Sequence, residues 1–174
     1  VGSLIEDPKI QGDIMKLQKW LENWDMTKLK IKLPFLEAEW EVQEKDKDAA
    51  WELYIELLTR ITTQQLPVEH GDEGAALESA YSLFPLTRAT IKNYGRDCIN
   101  FTKIAVVVLN QIVRPFTAKW HKLSIAGAFN DKKKCKQFRK ELEFLQVDLK
   151  KYTKMLADMA GVEDLTELEE RDKN

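Results

Sequence analysis

What most narrows the fold is an apolar stripe that keeps its phase through a proline. From Ile99 to Leu123, Phe101, Ile104, Ala105, Val108, Leu109, Ile112, Phe116, Trp120 and Leu123 recur at intervals that repeatedly select one helix face. Pro115 stands inside that run, although a proline lacks a ladder N–H and crowds the carbonyl one turn earlier. A loop would scramble the phase, so the run predicts one kinked helix or two nearly collinear ones. Glycine and proline, at 7 and 5 of 174 residues, are too scarce for a loop-rich alternative.

Other amphipathic stretches supply packing partners. Ile10, Ile14, Leu17, Leu21 and Trp24 keep helical spacing behind an Asp7-Pro8 start signal. Trp51, Tyr54, Ile55, Leu58 and Ile61 do so up to Gln65, behind capping aspartates in Glu44–Asp48. After the polar loop Leu66–Gly74, helix resumes near Ala75 and runs past Leu77, Ala80, Tyr81 and Phe84, with a kink expected at Pro85 and a cap at Gly95. Beyond Gly127, Asn130-Asp131 caps a long helix whose Phe138, Leu142, Leu145, Leu149, Tyr152, Leu156 and Met159 form a heptad-like seam ending at Gly161.

Residues 28–41 break the pattern with a period of two. Leu29, Ile31 and Leu33 alternate with lysines, and Leu36, Ala38 and Trp40 with glutamates. This predicts a hairpin turning near Pro34, its lysines paired with glutamates across the strands. The expected fold is mainly α, a bundle of roughly five or six helices with one small N-terminal β-hairpin. One domain over 1–174 is expected, frayed at 1–9 and in an acidic tail at 163–174.

A net charge of −2 argues against nucleic-acid binding through bulk charge and confines any RNA contact to a local patch. Cys98 and Cys135 are too few for a disulfide framework and lack metal-ligand neighbours, which suits a reduced, cytoplasmic protein with neither metal nor cofactor. No run is long and apolar enough to span a bilayer. The chain begins Val-Gly-Ser, and that start leaves room for an upstream anchor or domain.

The chemistry concentrates in Asn110–His121. On a helix, Asn110, Arg114, Thr117, His121 and Ser124 form one polar line turned away from the apolar stripe. Arg114 and His121 are two turns apart, about 10 Å between alpha carbons, so both side chains can converge on one phosphate. An arginine fork binds phosphate oxygens and a histidine exchanges protons near neutral pH, a pairing suited to RNA cleavage without a metal. A single histidine then acts as base and acid in turn, or two copies meet in a dimer. A structural reading competes: Arg114 caps carbonyls freed by Pro115, and His121 packs beside Trp120.

The spacing Arg114-x6-His121 resembles the R-x4-6-H signature of the HEPN superfamily, all-helical domains that include many metal-independent RNases of bacterial immunity and toxin systems. Where active families commonly place a polar residue after the arginine, this chain has Pro115. Asp48–Tyr54, Ala80–Arg88 and Leu109–His121 are also similar to segments of uncharacterised bacterial proteins, some of them membrane-anchored. The resemblance implies a sensing, scaffolding or effector module of a prokaryotic defence or toxin-type system, forming homo-oligomers and engaging RNA or a protein partner. The alternatives are a non-catalytic interaction or oligomerisation module and the soluble domain of a membrane-anchored protein.

Other candidates are weaker. Lys132, Lys133, Lys134, Lys136 and Arg139 form a basic cluster at a helix N-terminus, placed against the dipole and able to grip an RNA backbone or acidic partner. His70 lies among Glu69, Asp72 and Glu73, a composition typical of a solvated loop. Trp20, Trp24, Trp40 and Trp51 are read as packing the hairpin onto the bundle.

Overall fold

The computed structural model describes residues 15–168. In chain order these form β1 (Met15–Lys16), α1 (Leu17–Asn23), α2 (Leu33–Glu37), β2 (Glu39–Trp40), α3 (Glu44–Leu58), α4 (Glu73–Tyr81), α5 (Leu83–Tyr94), α6 (Ile99–Val108), α7 (Arg114–Ile125) and α8 (Lys132–Ala160). The fold is mainly α with one small antiparallel pair near the N-terminus, as the periodicities predict. The expected fraying at 1–9, and the start signal and apolar positions before Met15, lie outside the described residues.

The strands sit elsewhere than expected. Met15 pairs with Trp40 and Lys16 with Glu39, so the sheet joins the segments flanking α1 and α2. Met15 and Lys16 had been expected to be helical. The predicted turn at Pro34 is instead the first turn of α2, where a proline's missing N–H costs nothing. The predicted first arm has no strand partner because a side chain takes the partner's place. Gln111 Oε1 accepts from the Lys30 N–H and Gln111 Nε2 donates to the Lys30 carbonyl, both at 2.8 Å. Lys28 turns to Asp148 of α8 rather than to a cross-strand glutamate.

The small sheet is fixed to the bundle by its indoles. Trp20 and Trp40 are buried and stacked 5.5 Å apart, while Trp20 and Trp24 both donate to Asp158 Oδ2 of α8, at 2.7 and 3.3 Å. Trp51 does not join them; it is 45 % exposed and packs on Tyr54 of its own helix.

Helix α3 stops at Leu58, short of the expected Gln65, because its last carbonyls are taken by side chains. Thr63 donates to the Leu57 carbonyl and Gln64 to that of Leu58. Gln146 of α8 then caps the following turn through the carbonyls of Ile61 and Gln64, at 2.6 and 2.7 Å. Pro85 makes no kink, since it lies in the first turn of α5; the break falls one turn earlier, at Ser82. Glu163–Leu168, expected to fray, is tied down. The Leu165 N–H donates to Tyr54 Oη, Glu167 pairs with Lys154, and Thr166 is buried. Residues 169–174 of the expected tail lie outside the described region.

Between α6 and α7 the ladder widens into one π-turn, Leu109–Val113, in which the Arg114 N–H reaches back to the Leu109 carbonyl. The extra residue places Pro115 in the first turn of α7, where its missing N–H is harmless. It also shifts the buried face, so that Val113 is fully buried and Ile112 only partly.

Asp46 fixes how α6 meets α3. Fully buried, its carboxylate accepts from the Gln43 N–H at 2.9 Å, closing the capping box of α3, and from the Phe101 N–H of α6 at 2.9 Å. Asn100 Nδ2 adds a third bond at 3.2 Å. Replacing Asp46 by alanine leaves two backbone donors without this acceptor, so urea denaturation of Asp46→Ala is expected to show a loss of about 3 kcal/mol. Asp48→Ala, on the same helix but in an exposed pair with Lys45, is expected to stay within about 0.5 kcal/mol.

Candidate functional site on the outer face of the seventh helix

The predicted polar line does not survive as a line. Arg114 and His121 are exposed, but Thr117 between them is 2 % exposed and returns its hydroxyl to the carbonyls of Val113 and Arg114 at 3.2 Å. Within the regular turns of α7, Thr117 stands about 60° from the buried Trp120, closer to the core face than His121 at about 100° or Arg114 at about 120°. Two polar ends remain. At one, Arg114 Nε donates to Asn110 Oδ1 at 3.1 Å; at the other, Ser124 Oγ donates to the His121 carbonyl at 2.8 Å.

Each end lies on an aromatic ring from the facing helices. The Arg114 guanidinium carbon sits 4.7 Å from the centre of the Phe84 ring, within the range of cation–π attraction. The His121 ring meets Tyr81 edge-on at 5.6 Å. Tyr81 and Phe84 lie either side of the Ser82 break, 6.2 Å apart. Ser82 Oγ donates to the Ser79 carbonyl and accepts from Arg60, at 2.6 and 2.8 Å, so a polar junction sets the two rings. Spacing alone reads Tyr81 and Phe84 as core positions, and nothing in the sequence marks them as the seat of Arg114 and His121.

Neither Arg114 nor His121 is in an ion pair among the described residues. Beside His121, Tyr81, Leu77, Phe129, Ser124 and the exposed Glu78 surround a shallow cavity of about 260 Å³. The arrangement presents a guanidinium whose terminal nitrogens have no protein acceptor among the described residues, and an accessible imidazole on one helix. Chemically it can hold an anion and exchange a proton.

The basic cluster divides. Lys132, Lys133 and Lys136 are exposed, and Lys134 is half-buried against Gln137. Arg139 is not available for a partner: it bonds Glu73 at 2.7 Å and the carbonyls of Pro67 and Gly71 at 2.9 Å, clamping the Leu66–Gly74 loop. The dipole conflict at this helix start is eased by Asp131, whose carboxylate accepts from the Lys133 N–H. His70 is exposed, and no group of three metal-ligating side chains occurs among the described residues. Cys98 is buried with its thiol on the Gly95 carbonyl, and burial pushes the Cys135 thiol above its ordinary value.

A larger cleft of about 630 Å³ lies beside α7, between the Lys28–Lys30 segment and α8. Lys119 and Trp120 of α7 and Gln137 of α8 donate to Glu141 there, at 2.6, 2.9 and 3.1 Å. Partial burial raises the Glu141 carboxyl, but these donors outweigh it and hold it below its ordinary value of 4.5.

No family model, curated protein or solved structure matches this chain. No helix of the described residues is long and apolar enough to cross a membrane.

Arg139→Ala is expected to cost about 2 kcal/mol and to open the Leu66–Gly74 loop to limited proteolysis, with cleavage mapped by mass spectrometry. Since the folded Glu141 pKa is depressed, its contribution to stability is present above pH 4.5 and lost as pH falls through the folded value. Denaturation across that range is expected to show wild type losing its advantage over Glu141→Gln as acid is added.

Proposed function

We propose that this chain is a HEPN-like helical module of a prokaryotic defence or toxin-type system that engages RNA through Arg114 and His121. The observation that carries the reading is that both side chains stand exposed on α7, each seated on an aromatic ring and neither neutralised by a carboxylate among the described residues. Arg114 offers its remaining guanidinium donors to phosphate oxygens. His121 is the accessible proton-exchanging group beside it. For strand cleavage the ribose 2′-hydroxyl attacks the adjacent phosphorus, the 2′-proton passes to a base, and the 5′-oxygen leaves with a proton from an acid. With one histidine at the site, two copies bringing their His121 rings together supply base and acid at once, and the module acts as a homo-oligomer.

The non-catalytic interaction reading draws on a different observation. Leu33 and Phe35 of α2 and Ile99 and Val106 of α6 are exposed apolar side chains, a composition that association would cover.

Binding of a labelled single-stranded RNA is expected by fluorescence anisotropy, weakened about tenfold by Arg114→Ala and with a salt slope lower by about one. His121→Ala is expected to bind RNA yet abolish cleavage, which in wild type continues in EDTA and leaves a cyclic phosphate. A folded wild type that neither binds nor cuts RNA overturns the proposal, and one whose cleavage survives His121→Ala overturns its chemistry.

A further inference from the structure

The cleft beside α7 is built from different residues than the Arg114 and His121 face. On a regular helix Lys119 points about 160° away from His121, and it is Lys119 with Pro115 that lines the cleft. Its apolar surface comes from Ile112, Pro115, Phe116 and Leu145. Phe144 stands at the rim and is 65 % exposed.

The charges around this apolar floor do not balance. Lys28 is paired with Asp148, and Lys119 with Glu141 at 2.6 Å. That leaves Lys30, which lines the same cleft with no carboxylate partner among the described residues. Its backbone is nonetheless fixed beside the cleft, because Gln111 holds its N–H and carbonyl. Gln111 itself belongs to the π-turn, a helix irregularity frequent at functional sites.

We propose that this cleft binds a small amphipathic organic anion, its carboxylate on Lys30 and its aliphatic or aryl body on Pro115, Phe116 and Leu145 beneath Phe144. Its volume of about 630 Å³ suits a small molecule. A cationic ligand finds both carboxylates already neutralised. An extended peptide adding as a strand finds the Lys30 backbone groups occupied by Gln111. An anion meets one uncommitted ammonium, and its apolar body covers the otherwise solvated Phe144 ring.

The test uses the full chain with 8-anilinonaphthalene-1-sulfonate as the fluorescent anion and decanoate as competitor. Saturable, blue-shifted emission is expected, displaced by decanoate and not by decylamine or 1-decanol. Lys30→Gln and Phe144→Ser, both at exposed positions, are each expected to weaken probe binding by about tenfold while circular dichroism stays that of wild type. Equal displacement by decylamine or decanol, non-saturable binding, or unchanged affinity in both folded variants overturns the proposal.

Discussion

Two helix starts converge on one buried carboxylate, and the way α6 meets α3 follows from it. Asp46 accepts from a backbone N–H at the start of α3 and from another in the first turn of α6, so the two helices are set relative to each other by hydrogen bonds as well as by packing. Helix starts leave donors unsatisfied, and burying them without an acceptor is costly. One aspartate meets that need for two helices at once. Past the far end of α3, Gln146 does the corresponding work for the carbonyls of the turn that follows it. Polar contacts with segments that come later in the chain therefore hold the start of α3 and the turn that follows its end.

These long-range polar contacts mark where reading the chain succeeds and where it fails. The helices were legible because burial imposes a period, and their caps at Asp131, Gly95 and Gly161 were legible because local chemistry specifies them. The segment at 28–41 was not. Its alternation is real, but whether it becomes a strand depends on what meets its backbone, and Gln111 is 81 residues from Lys30. Arg139 misled for the same reason, since a basic run appears solvated until the loop it clamps is known.

The candidate site was legible in half. Arg114 and His121 could be picked out as exposed on one helix, while the rings beneath them belong to α4 and α5 and carried no signal beyond their own periodicity. Thr117 was misplaced because a spacing of three and four groups it with Arg114 and His121, although it stands only about 60° from the buried Trp120. Seating a guanidinium over one aromatic ring and an imidazole edge-on against another restricts their rotamers without neutralising them, which keeps both accessible to an anion.

The π-turn at Leu109–Val113 gives this helix a slack link. It holds one residue more than an α-helical turn requires, so removing a single residue there would restore the regular ladder without shortening α6 or disturbing its contacts with α3. Arg114 and the residues after it would keep the angular place they have now, because the Arg114 N–H already takes the Leu109 carbonyl that the fourth residue of an α-helical turn would take. A one-codon change at this point is thereby taken up within a single turn of the ladder, and the faces on either side of it keep their aim.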